Sequence, residues 1–379
     1  MAKRRSRRSP AATSLGAAAV LGRSGLAMAQ QLRRASSAAL KPWLKGWQDG
    51  LDARRDKWLH DHRPPPASGQ WVRGVAAVAA GLRQFQLYLP AGRPPAGAWP
   101  LMVMLHGCQQ DAATFAHSTR MHRLADREAF AVLYLQQDRH ANAQGCWNWF
   151  AVRNGRAAQE ARLVLAAIDQ ACLLHGVDRE RVAVAGLSAG AGLAALLAQQ
   201  HGERFRAVIM HSGVPPGLTH DARGALAAMQ GRAPGGAAPA AAVAPGAGSS
   251  GLAAGLMPGL APGASPRAEP AWPPLLVIHG DRDTVVSPRN AQQAVAQWAV
   301  AGQGRALATR QQQRGKRLPM AVTRWVRRGG ADVATLVLVQ GLGHAWSGGV
   351  ASLPFGEPGG PDASTLAWRF AQRQWRHGG

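Results

Sequence analysis

Three cysteines in 379 residues are too few for a disulfide framework, and none stands in a CxxC or Cys/His spacing suited to zinc. Acidic residues are scarce: 20 Asp and Glu face 44 Lys and Arg, a formal net charge of +24. Long apolar runs are missing as well, since no stretch reaches the ~18 consecutive apolar residues of a membrane-spanning helix. No repeat period emerges. These absences argue against a disulfide scaffold, a zinc module, a helical membrane protein and a solenoid. They leave a globular chain long enough to bury a sizeable core.

What is abundant is Arg, Ala, Gly and Pro. All four have GC-rich codons, so the charge fits a coding bias as well as an attraction to anions such as nucleic acid, lipid headgroups or an acidic surface. The charge is uneven. Residues 1–63 hold 14 basic residues against four acidic ones, and residues 305–328 hold eight basic residues and no acid. Neither cluster has the interleaved aromatics of a nucleic-acid module, so no specific nucleic-acid partner is expected. The opening "MAKRRSRRSP", a weakly apolar "AATSLGAAAVLG" and "AMA" before Gln30 have the order of a cleaved export signal, with Arg23 interrupting the apolar run. The alternative is a basic extension with weak anionic-surface contact. Extracellular, periplasmic and cytoplasmic locations stay open.

Residues 1–68 read as a basic leader. Within it Leu40, Trp43, Leu44, Trp47 and Leu51 recur at helical spacing, before "HRPPPASG" breaks the chain. Residues 69–379 then alternate strand and helix. "RQFQLYLP" alternates as a half-exposed strand, with Phe85, Leu87 and Leu89 on one face. "PLMVMLHG" and "FAVLYLQQ" are continuous apolar runs of buried parallel strands. Helices are expected over 114–129, in "GRAAQEARLVLAAIDQACLLHG", and over 189–200, 289–301 and 363–376. Further strands are expected at 181–186, in "RAVIMHSG" and "PPLLVIHG", and as a pair around 320–340. This order predicts an α/β fold with a mostly parallel central sheet and helices on both faces. Residues 222–270, rich in Ala, Gly and Pro, read as a flexible insert, a spacer or a lid.

The chemistry gathers at sequence corners. Gly186-Leu187-Ser188-Ala189-Gly190 is G-x-S-x-G between a strand and a helix. Such a turn forces the serine into strained angles and needs small neighbours, while the helix N-terminus faces any developing oxyanion. A serine needs a base, and the base an orienting acid. "LLVIHGDRDTVVSP" offers Asp281 and Asp283. Asp281 suits the turn itself, and Asp283 lies far enough out to reach a histidine. "TLVLVQGLGHAWSGG" puts His344 in a Gly-rich loop after a strand, in the expected order Ser, Asp, His. The backbone N–H groups of Ala189 and of Cys108, in "VMLHGCQQD", are the expected oxyanion donors. His106 reads as a loop-shaping group.

Together, "LHGCQQDAATFAHSTRMHRLADREAFAVLYLQQDRHANAQGCWNWF", "VAGLSAGAGLAALLAQQHGERFRAVIMHSGVPPG", "HGDRDTVVSPRN" and "GLGHAWSGG…GGPDAS" resemble the polyhydroxybutyrate depolymerase family of esterases, over roughly residues 70–379. The resemblance implies an α/β-hydrolase fold, Ser188, Asp283 and His344 as nucleophile, acid and base, and Cys108 at the oxyanion position. It also implies an ester or polyester substrate, with no metal or organic cofactor needed. The chain departs from the family in its longer insert and in "VASLPFGEP", and no separate polymer-binding domain is expected within residues 1–379. Acetylxylan and feruloyl esterases are similar in the same blocks, so a sugar-borne ester is the alternative. Further from the resemblance stand a serine peptidase on the same scaffold and a basic anion-binding protein on an inactive one. Cys108 and Cys146 are expected beside the site, bridged in an oxidising compartment and free in a reducing one. Trp147 and Trp149 are expected as substrate-binding walls, with core packing as the other reading, and Cys172 as a small buried residue.

Overall fold

The computed structural model describes residues 63–79, 81–232 and 272–376. The leader helix expected at 40–51 and most of the insert lie outside these residues. Strands β1 (Gln70–Val78), β2 (Gly81–Leu89), β3 (Trp99–Leu105), β4 (Ala131–Leu135), β5 (Val177–Leu187), β6 (Ala207–His211), β7 (Leu275–Gly280), β8 (Arg305–Ala306), β9 (Arg310–Gln312), β10 (Met320–Val326) and β11 (Asp332–Val339) form one sheet. A short pair, β12 (Trp346–Ser347) and β13 (Gly356–Glu357), stands apart from it. Helices are α1 (Ala112–Thr119), α2 (Met121–Glu128), α3 (Arg156–Leu174), α4 (Ala189–Gln200), α5 (Ala222–Met229), α6 (Arg289–Ala301) and α7 (Ala363–Arg376).

The large sheet runs β1-β2-β4-β3-β5-β6-β7-β11-β10-β8, with β9 also on β10. From β4 to β11 every neighbour is parallel, and antiparallel strands close both edges. Strand alternation divides the core in two. Leu101, Val103 and Leu105 face α3, α4, α5 and α6, while Met102 and Met104 face α1, α2 and α7. Both faces of β3 are therefore buried, which is why its sequence is apolar throughout.

The chain moves from β3 to β4 on one side and returns to β5 on the other. This makes the β3–β5 boundary a topological switch point, where crossovers depart in opposite directions and leave a crevice beyond the strand C-termini. Leu105 is in register with Gly186 there, so the loop after β3 and the turn after β5 emerge side by side.

Two sequence expectations are corrected, and one strand is added to them. The single helix over 114–129 is two, because Arg120 adopts a left-handed φ of 51° between α1 and α2. Its guanidinium donates to the Gly348 carbonyl at 2.8 Å, a tertiary contact that local periodicity cannot express. The insert does not begin as irregular chain at 222. Residues Ala222–Met229 are helical, capped by the Asp221 carboxylate, which accepts from the Gly224 N–H. Strand β1 was not anticipated at all. Its central Gly74 breaks the apolar alternation, and the Phe85 ring of β2 fills the place of the missing side chain.

Candidate active site

Ser188 sits where β5 turns into α4, half-buried, with φ 55° and ψ −117°. For a non-glycine residue this conformation costs on the order of 1–3 kcal/mol and persists only where the surroundings impose it. Those surroundings are the flanking glycines. A Cβ at Gly186 would lie 2.2 Å from the Gly190 carbonyl carbon, and one at Gly190 would lie 2.1 Å from the Leu105 oxygen. The Ser188 N–H donates to the His211 carbonyl at 2.9 Å, which fixes the turn against β6. Its hydroxyl makes no hydrogen bond among the described residues.

The loop after β3 is tied down from several directions. Cys108 and Cys146 form a disulfide, so of the two states left open by the sequence the structure has the bridge. The Gly107 N–H donates to Gln110 Oε1 at 2.9 Å, and the Trp147 indole donates to the His106 carbonyl at 3.0 Å. The Gln137 N–H donates to His106 Nε2, which leaves the ring proton on Nδ1, facing the Gly107 carbonyl at 2.8 Å. Burial pushes the His106 imidazole down to about 4, so it stays neutral near pH 7. The Cys108 N–H finds no acceptor among the described residues. Ala189 occupies the first turn of α4, where N–H groups lack intrahelical partners.

Behind this loop lies a cluster that sequence reasoning missed. Glu160 of α3 is buried, and its carboxylate accepts from Gln137 Nε2 at 2.6 Å and from Asn148 through both backbone N–H and side chain at 2.7 Å. Gln137 Nε2 also donates to the Cys146 carbonyl at 2.8 Å. Burial raises the Glu160 carboxyl, against the hydrogen bonds from Gln137 and Asn148 and the charge of Arg83. An isolated glutamate in an alanine-rich helical stretch carries no local signal of this role.

Asp283 lies on the loop after β7. Its Oδ1 accepts from the N–H groups of Val285 (3.0 Å) and Val286 (2.8 Å), and its Oδ2 accepts from His344 Nδ1 at 2.8 Å. His279 Nε2 stands 3.4 Å from the same oxygen while donating to the Val286 carbonyl. Burial works to raise the Asp283 carboxyl. Bonds from His279 and His344, the His344 charge and the Val286 N–H outweigh it and hold the group well below the ordinary carboxylate range. Asp281 does something else: it accepts from the Gly341 N–H at 2.7 Å and shapes the turn between the two loops.

The structure therefore joins Asp283 to His344, while Ser188 ends β5, separated from β7 by β6, with Cys108 across the switch point. It does not make Trp147 a cleft wall. Trp147 is completely buried, with its ring beneath His106 and the Arg83 guanidinium 5.7 Å from its centroid, so it is a core residue supporting the loop. Trp149 is also buried, with its ring against α4 at Gly192, where a Cβ would come within 2.8 Å. Cys172 is half-buried and unbridged, less enclosed than its helical position suggests.

Residues 83–317 match the family described as Esterase PHB depolymerase. Over 145 residues the chain is 33% identical to poly(3-hydroxyalkanoate) depolymerase C of Paucimonas lemoignei, covering 38% of this chain and 34% of that one. Over 166 residues it is 25% identical to poly(3-hydroxybutyrate) depolymerase of Ralstonia pickettii, covering 41% of this chain and 34% of that one. The chain thus spans about a third of the length of these curated relatives. Among solved structures, acetyl xylan esterase from Aspergillus awamori superposes with a TM-score of 0.52 at 19% identity, covering 73% of this chain and 94% of that one, a likeness of α/β-hydrolase fold. The matched family span takes in the loop at Cys108, the Ser188 turn and Asp283, and ends before His344. With most of the sheet and three of the four site loops inside that span, the chain belongs to the esterase PHB depolymerase family.

Proposed function

We propose that this protein is a serine esterase that hydrolyses short-chain 3-hydroxyacyl esters and their oligomers through an acyl-enzyme. The observation that carries the reading is the bond from His344 Nδ1 to Asp283 Oδ2. It commits the Nδ1 proton to the carboxylate and leaves Nε2 as the basic nitrogen.

In this mechanism His344 Nε2 takes the Ser188 proton, and Oγ attacks the ester carbonyl carbon. The Ala189 and Cys108 N–H groups receive the oxyanion, which α4 also stabilises through its N-terminal dipole. Collapse of the tetrahedral species expels the alcohol, which takes the proton from His344. Water, deprotonated by the same nitrogen, then attacks the acyl-enzyme and releases the acid. Asp283, held ionised, stabilises the imidazolium that forms in each half-reaction. The fixed geometry of the loop at Cys108 favours this assignment, since an oxyanion donor is effective when it needs no reorganisation. The acyl group is assigned from the two depolymerase relatives.

The test is a substrate panel of p-nitrophenyl butyrate, 3-hydroxybutyrate oligomers, solid polyester, acetylated xylan and feruloyl esters. The expected order puts the 3-hydroxybutyrate oligomers first in kcat/KM, and Ser188→Ala lowers kcat by about 10⁴-fold or more with the fold retained. Preference for the sugar-borne esters moves the substrate to the carbohydrate alternative, and undiminished turnover by Ser188→Ala discards the mechanism.

A further inference from the structure

Ser188 and His344 arrive from different strands, β5 and β11, with β6 and β7 between them. Asp283 fixes the His344 ring, but its contacts go to its own loop, to His279 of β7 and to His344, and none reaches the Ser188 turn. One buried side chain spans the gap. His211 ends β6, and its carbonyl receives the Ser188 N–H at 2.9 Å. Its ring Nε2 receives the N–H of Ser347, three residues beyond His344, at 3.1 Å. The ring also stacks on Trp346, with centroids 5.1 Å apart and planes 28° apart.

The tautomer follows from the partners. Because Nε2 accepts, Nδ1 carries the proton and faces Ser212 Oγ at 3.2 Å. Ser212 is itself held in a left-handed conformation, φ 52°, with its N–H donating to Ile278 of β7. Both His211 and Ser347 are fully buried, so no water replaces a lost bond. Burial, reinforced by the neighbouring His279 and His344 and opposed by Asp283, pushes the His211 imidazole down to about 3. The ring thus stays neutral and its Nε2 lone pair remains available.

We infer that His211 is a positioning residue for the reaction, setting the loop that carries His344 against the Ser188 turn through the Ser347 N–H. The inference rests on the esterase reading. His211 touches neither substrate nor the reacting atoms. It acts by holding the proton-accepting nitrogen within reach of the hydroxyl, where a displacement of about 1 Å costs on the order of 100-fold in rate.

The experiment compares His211→Gln, His211→Asn and His211→Phe with the wild type in the full chain. A glutamine carbonyl reaches roughly where Nε2 lies, an asparagine carbonyl falls short of it, and phenylalanine keeps the stacking surface without an acceptor. Three quantities are read: kcat and KM on p-nitrophenyl butyrate, thermal midpoint, and the rate of Ser188 labelling by a fluorophosphonate. The expected result is a kcat about 10- to 100-fold lower in the Asn and Phe variants, KM within about twofold, labelling slowed in step, and recovery of most of the rate in His211→Gln. Should His211→Phe not fold, the Gln–Asn contrast alone decides. A wild type labelled at Ser188, with folded Asn or Phe variants labelled and turning over at the wild-type rate, overturns the inference alone. Equal losses in folded Gln and Asn variants also overturn it. A wild type that hydrolyses no ester and is not labelled at Ser188 overturns the esterase reading and the inference with it.

Discussion

At the residue scale, the site depends on which proton sits on which nitrogen. Asp283 accepts two backbone N–H groups on Oδ1, so its orientation is set before His344 meets Oδ2. Asp283→Asn keeps the shape but offers His344 an amide, which favours the tautomer with its proton on Nε2. A base carrying that proton cannot accept another from Ser188. We expect kcat about 10³- to 10⁴-fold below the wild type near pH 7 with the thermal midpoint little changed, measured by steady-state ester hydrolysis beside a circular dichroism melt. Asp281, two residues away, carries no such expectation, because its carboxylate serves the Gly341 turn. Sequence spacing could separate these two aspartates because one lies immediately after the β7 terminal glycine and the other beyond it. It could not reveal His211 or His279, whose roles arise from contacts with residues that are remote in sequence or hidden in the fold of one loop.

Among the elements, the loop after β3 is anchored more heavily than its sequence suggests. The disulfide closes a chain separation of 38 residues, and the Glu160 carboxylate gathers Gln137 and Asn148 on its inner side. In the chain-entropy description a bridge of that span contributes about 4 kcal/mol, less any structure retained in the reduced unfolded chain. Cys146→Ser is therefore expected to lower unfolding free energy by about 2–4 kcal/mol and to lower kcat, since Cys108 supplies an oxyanion N–H in the proposed mechanism. Urea denaturation and steady-state kinetics check the two effects separately. A stability loss with unchanged kcat would show that the Glu160 cluster holds the loop without the bridge. "HGC" and "GCWNWF" marked both cysteines as neighbours of the site. Whether they bridge was beyond the sequence, because that depends on two loops meeting across the strand ends.

For the whole molecule, the burial of titratable groups gives the stability a direction with pH. His106 and His122 are pushed to about 4 and His211 to about 3, each chiefly by burial. Their unfolded values lie near 6.5. With folded values below unfolded ones, the unfolded chain binds more protons as pH falls. The stability associated with these neutral rings is complete above about pH 6.5 and is lost progressively as pH drops towards 4 and 3. Asp283, also depressed, adds a loss with the same sign at lower pH. The buried Glu160, whose carboxyl is raised, works in the opposite sense, but with three rings against one carboxyl the urea midpoint is expected to fall from pH 7.5 to pH 4.5, and a midpoint that rises over that range contradicts the burial of these rings. The formal charge of +24 works in the same direction, because acidification adds positive charge to a chain already rich in it.

The sequence alone determined where the parallel strands and most helices lie along the chain, because burial on both faces of a sheet demands continuous apolar runs and helices impose their own period. It also determined the Ser188 turn, where close backbone approach admits little but glycine at positions 186 and 190. Only the tertiary structure decided the break at Arg120, the burial of Trp147, the disulfide state and the histidines that brace the site. Each of those depends on which groups meet across the C-terminal edge of the sheet. Such meetings are fixed by strand order and packing, and leave no periodic trace along the chain.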